Sequence, residues 1–130
     1  MNDFTTYDVG KFGENACVKY LKKDKKLKIL KKNATIGHLE ADIIAYNKEY
    51  IIIVEVKTRR EDKKNIHRPG AAVDDQKRTN LIRFAYAFYK TLPPKHQNKA
   101  LRIDVCEITC VAEKKLKLCS INYIENAITR

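Results

Sequence analysis

The stretch Tyr50-Ile51-Ile52-Ile53-Val54-Glu55-Val56-Lys57-Thr58 decides the fold. Side chains on a strand alternate between its two faces. The unbroken apolar run from Tyr50 to Val54 therefore predicts a central strand covered on both sides. Glu55 and Lys57 then fall on one face at the end of that run. Charged groups set into an apolar strand are costly unless something pairs them.

Upstream, residues 37–46 read as another strand, separated from the first by the short turn Asn47-Lys48-Glu49. Two strands so joined form an antiparallel hairpin. Glu40 and Asp42 share one face of it. Any register that sets Glu55 opposite either acid gathers Glu40, Asp42, Glu55 and Lys57 on one surface, beside Ile51 and Ile53. Residues 27–33 predict a further strand. Residues 5–24 predict a helix, opened by Thr5-x-x-Asp8 as a capping box and carrying an apolar stripe from Val9 through Phe12, Gly13, Ala16 and Cys17 to Tyr20 and Leu21.

Downstream, residues 59–69 are charged and lack a core signal, the pattern of an irregular loop or functional flap. Residues 73–89 predict a second helix with Val73, Leu81, Phe84, Ala85 and Phe88 inward, stopped by Pro93-Pro94. Residues 100–110 and 114–119 predict two strands, and residues 122–128 a short closing helix. The order is helix, three strands, helix, two strands, helix. It implies one α/β domain over residues 1–130, with a central mixed β-sheet flanked by helices.

Hydrophobic residues make up 44% of the chain, enough for one core. Lysine and arginine number 27 against 16 acids, a net charge of +11. That excess favours a polyanionic partner, nucleic acid first and an anionic membrane surface second. The lysines crowded between Lys19 and Lys32 read either as a solubilising face or as a phosphate-contacting one. No apolar run of about 18 residues predicts a membrane span. The N-terminal residues lack a secretory pattern, so a cytoplasmic location is expected. The four cysteines form no Cys-x-x-Cys pair and read as buried thiols rather than a zinc site.

Three carboxylates and an ammonium on one poorly solvated surface repel and need a counter-charge. Mg²⁺ or Mn²⁺ would supply it, because such ions take oxygen ligands and combine one or two carboxylates with water and phosphate oxygens. Asp42, Glu55 and Glu40 are the metal-ligating candidates, with Lys57 placed to orient a water or stabilise charge on a phosphate. Whether one ion or two bind stays open. The bland alternative is a salt-bridged sheet edge, since Glu-x-Lys occurs by chance in many strands. Arg59 and Arg60 follow directly and can grip a phosphate bidentately or simply lie in solvent. Arg102 and Asp104 share a face and predict a salt bridge.

Taken together these segments resemble the PD-(D/E)xK nuclease superfamily, and more closely the bacterial YraN-like family, itself similar to archaeal Holliday-junction resolvases. The resemblance runs over roughly residues 9–108. It rests on Gly13-Glu14, Asn33, Glu40-Ala41-Asp42-Ile43-Ile44-Ala45, Val54-Glu55-Val56-Lys57-Thr58-Arg59, Lys77-Arg78 with Ala85, and Arg102-Ile103-Asp104-Val105. Ala41 stands where the superfamily name has Pro, and Leu39 replaces a usual Gly. The resemblance implies a restriction-endonuclease-like core. It implies that Asp42, Glu55 and Lys57 are catalytic, that Glu14 joins the metal site, and that Gln76 or Lys77 faces the phosphate. Arg78 joins Arg59 and Arg60 as a nucleic-acid contact. The expected activity is metal-dependent hydrolysis of phosphodiesters in DNA, including branched or damaged DNA. The alternative is a nucleic-acid-binding module that keeps the fold without turnover. A homodimer is the usual arrangement where two strands are cut symmetrically.

Overall fold

The apolar run at 50–54 becomes the middle of a five-stranded sheet. The computed structural model describes residues 4–62 and 74–129. Its elements are helix α1 (Thr6–Lys23), strands β1 (Lys28–Ile36), β2 (Leu39–Tyr46) and β3 (Tyr50–Arg60), helix α2 (Asp75–Lys90), and strands β4 (Ala100–Ala112) and β5 (Leu116–Ile124). A single 3-10 turn, Pro94–His96, follows α2. The strands lie in the order β1-β2-β3-β4-β5. Only β3 and β4 run parallel, so the sheet is mixed as expected, and α2 lies in the crossover between them. No described helix is long and apolar enough to cross a membrane.

Alternation along β3 sorts the core into two layers. Ile51 and Ile53 pack with Leu81, Phe84 and Ala85 of α2. Ile52 and Val54 pack with Cys17 and Leu21 of α1. All four β3 side chains are fully buried, each contributing roughly 1.5–3 kcal/mol of hydrophobic stabilisation. Thr5 caps α1 through the expected capping box with Asp8. Helix α1 lies so close to β3 that a Cβ on Gly13 would sit 1.7 Å from Thr58 Oγ1. That contact gives the Gly13-Glu14 motif its physical reason: only a missing side chain lets the helix dock there.

Several boundaries differ from expectation. Strand β1 runs on past Asn33 to Ile36, with Asn33 itself at φ 50°. Asn tolerates that left-handed geometry better than most residues. Strand β3 holds its pairing with β4 as far as Arg60–Cys110, so Arg59 and Arg60 are strand rather than loop. Residues 63–73, which hold most of the expected flap and Val73 of the expected second helix, lie outside the described residues.

The predicted closing helix at 122–128 is not formed. Strand β5 continues to Ile124, with Ile121 opposite Ile108 and Tyr123 opposite Cys106. Ile121 and Tyr123 reach the core on alternate positions, a period of two that outweighs the local helical pattern. Ile128 then enters the other core layer. Cys17, Cys106 and Cys110 are buried as expected, but Cys119 is exposed on the edge strand.

Candidate functional site

The site lies where β2 and β3 part company. Their paired positions run from Tyr46–Ile51 to Ile43–Val54. Beyond that point the Asp42 carboxylate takes over, its Oδ2 accepting the Val56 N–H at 2.8 Å. The same register carried one step further brings Asp42 to Glu55. Both lie on the α2 side of the sheet, the side of Ile44, Ile51 and Ile53.

Glu55 is only 2% exposed. Its Oε2 has Lys77 Nζ at 2.7 Å and Lys57 Nζ at 3.7 Å. Yet the same oxygen accepts no hydrogen bond of acceptable geometry. The Lys77 contact is therefore better read as an ion pair at an unfavourable angle than as a directed bond. Asp42 is pushed up to about 7, first by burial and then by sharing a proton with the Glu55 carboxylate, against the opposing pull of the Val56 N–H and the Lys77 charge. Burial would lower Lys77, but contact with Glu55 and the charges of Asp42 and Glu40 hold it above the ordinary lysine range.

Sequence-predicted residues divide clearly. Asp42, Glu55, Lys57 and Lys77 come together. Glu40 stays exposed on β2, near enough for its charge to reach Lys77. Of the two α2 candidates it is Lys77 that meets the carboxylates, while Gln76 is exposed and donates to Asn80 Oδ1 at 3.1 Å. The signal was present in the sequence. Lys77 lies on the same helical stripe as Leu81, Phe84, Ala85 and Phe88, and Gln76 lies one residue off it. Glu14 is half-buried on α1, which packs against the other face of the sheet. Arg60 pairs with Asp62 at 2.7 Å. Arg78 is exposed in the first turn of α2, the turn that carries Lys77. The anchoring of Asp42 by the Val56 backbone left no trace in the sequence, because a backbone N–H is common to all residues but proline.

Among the described residues no three carboxylate, imidazole or thiol groups converge as a ready-made metal cage. A hard divalent ion does not need one, since it keeps several waters and accepts one or two carboxylates. The donor set fits such an ion: a half-buried carboxylate pushed up by burial and by its neighbour, beside a buried one with an oxygen short of a hydrogen bond.

A mixed sheet with helices on both faces, bearing a half-buried Asp and a buried Glu beside two lysines, defines a class of α/β domain with a charged pocket at a strand end. The chain matches the model of Uncharacterised protein family UPF0102 over residues 13–108 and belongs to that family, the YraN-like one that its motifs resemble. It is 34% identical to a UPF0102 protein of Dictyoglomus thermophilum, across 92% of this chain and 96% of that one. It is 37% identical to UPF0102 protein TTE1452 of Caldanaerobacter subterraneus, across 92% and 93%. With a UPF0102 protein of Fervidobacterium nodosum it shares 43% identity, across 73% and 68%.

Proposed function

We propose that the chain is a Mg²⁺- or Mn²⁺-dependent nuclease that hydrolyses phosphodiester bonds in DNA, branched or damaged DNA included. The observation that carries this reading is the Asp42–Glu55 pair: Glu55 is buried with one oxygen short of a hydrogen bond, and Asp42 beside it is pushed up to about 7, first by burial and then by the Glu55 carboxylate. These two carboxylates would hold a divalent ion, which would supply Lewis-acid charge to a phosphate and acidify a bound water. The Val56 N–H fixes the Asp42 carboxylate in place. Lys57, 30% exposed, has its ammonium near Glu55 but free enough to orient a nucleophile or meet charge developing on the phosphate. The net charge of +11 suits a polyanion.

One observation favours a second reading. Lys77 already sits on Glu55 Oε2, the arrangement that a binding module without metal or turnover would keep. A cleavage assay separates the two. Plasmid and four-way-junction DNA are incubated with the protein, with and without Mn²⁺, beside a Glu55→Gln/Lys57→Ala variant. Metal-dependent cleavage that the variant loses supports the nuclease. Equal, salt-sensitive binding by both proteins with no cleavage by either supports the module.

A further inference from the structure

The nuclease reading alone leaves one contact without a role. If Asp42 and Glu55 hold a divalent ion, the oxygen the ion needs is already covered by an ammonium. Resting on that reading of the pair, we propose that Lys77 is the resident cation of the metal-free site, and that a divalent ion exchanges with its ammonium at Glu55 Oε2 and frees it for an anionic substrate.

Charge sets the two occupants against each other. Lys77 Nζ is 2.7 Å from Oε2, while Mg²⁺ bonds oxygen at about 2.0–2.1 Å. Both on one oxygen would set like charges about 4 Å apart inside a pocket where Glu55 is 2% exposed and water screens them poorly. That repulsion favours the departure of the singly charged group, and Lys77 is built to leave. Its side chain is 40% exposed, so the ammonium has water to move into. Its stem is flexible, unlike the rigid fork of an arginine. Its backbone stays put, because the Lys77 N–H donates to the capping Asp74 Oδ1 at 2.8 Å. Exchange is thus a side-chain swing on a fixed helix end. Lys57 differs: at 3.7 Å its ammonium stands beside Oε2 rather than on it.

Lysine labelling tests this on the intact chain. The folded protein is treated briefly with a neutral acylating reagent while Mg²⁺ is titrated, and each site is read by mass spectrometry. Calorimetry records metal binding in parallel. Labelling of Lys77, measured against exposed Lys90 at the far end of α2, is expected to rise several-fold along the binding curve. Glu55→Gln should raise it without metal. Lys77→Met should bind Mg²⁺ several-fold more tightly, and Lys77→Arg more weakly. Mg²⁺ binding with Lys77 labelling unchanged overturns the exchange and leaves the metal site standing. Absence of any Mg²⁺ or Mn²⁺ binding removes the metal site and the exchange with it.

Discussion

Glu55 and Asp104 are two buried acids on neighbouring strands, and the chain treats them in opposite ways. Val54 lies beside Asp104 and Glu55 beside Val105 in the parallel β3–β4 pair, so the two carboxylates face opposite sides of the sheet. Asp104 is fully buried and fully met. Arg102 donates to it from Nε at 2.9 Å and from a terminal nitrogen at 3.0 Å, the Tyr123 hydroxyl donates at 2.6 Å, and the Asn126 N–H donates at 2.8 Å. Burial and the Asp104 charge push the Tyr123 hydroxyl well above its ordinary range, so it stays a donor. Glu55 instead has two partly exposed ammonium groups and a second acid beside it. A buried carboxylate that the chain satisfies unaided belongs to the fold. One left short of partners is a site waiting for something from outside.

The hardest way to break this contrast is to delete the satisfied member. Asp104→Ala leaves the Arg102 guanidinium, itself held above its ordinary value by Asp104, without its main counter-charge in a half-buried position. Loss of one partner of a buried pair costs about 3–5 kcal/mol. Urea unfolding should show that loss in the Asp104 variant. A cost below about 1 kcal/mol would mean the network is decoration, and the contrast would fail.

Next in size is a pH effect confined to the other acid. Asp42 titrates near 7 when folded and near 3.8 when unfolded. Between those values the folded state keeps a proton that the unfolded chain has released. The stabilisation is therefore complete below the lower value and is lost as pH rises through the upper one. Metal-free protein should lose this contribution from about pH 4 to about pH 7, and Asp42→Asn should flatten that slope. Denaturant midpoints across the range check it. Stability that climbs with pH in the wild-type chain, relative to the Asn variant, contradicts a shared proton.

Much of this contrast was legible beforehand, for physical reasons that differ residue by residue. Glu55 and Lys57 stood out because they interrupt an apolar run, and Asp42 because strand alternation and one short turn bring it to the same face. The Arg102–Asp104 pair followed from the same alternation. Its other partners did not. Tyr123 and Asn126 lie in a segment whose local pattern suggested a helix; pairing with β4 holds Tyr123 in a strand, and Asn126 lies in the turn that follows it. Arg59 and Arg60 looked like loop because their charges carry no core signal; the ladder with Thr109 and Cys110 holds them extended. The choice between Gln76 and Lys77 needed helix phase, which the sequence contained, and sheet placement, which it did not.

A smaller change sharpens the comparison from the unsatisfied side. Glu55→Gln keeps the shape of the side chain and removes the charge that repels Asp42. Stability of the metal-free protein at neutral pH should rise by about 0.5–2 kcal/mol, the usual return from relaxing a functional site. Metal binding, read by calorimetry, should fall by more than the roughly 10–100-fold that loss of an outer partner costs. A Gln variant that is less stable than the parent would place Glu55 with Asp104 as a structural acid.

The smallest effect tests how self-contained the Asp104 network is. Lys25 reaches Glu125 at 2.8 Å, and Glu125 also lies 3.8 Å from Arg102, so this pair forms the outer rim of the network. Lys25 also lies 5.1 Å from the Tyr123 ring centre. Both Lys25 and Glu125 are solvated, with side chains 28% and 49% exposed, and exposed pairs are worth about 0–1 kcal/mol. Lys25→Met should therefore cost less than about 1 kcal/mol and become neutral in high salt. The reason is that Asp104 has four donors inside the rim and needs none from it. A loss of several kcal/mol on urea unfolding would mean that the inner donors do not close the network. Asp104 would then depend, as Glu55 does, on charge borrowed from its surroundings.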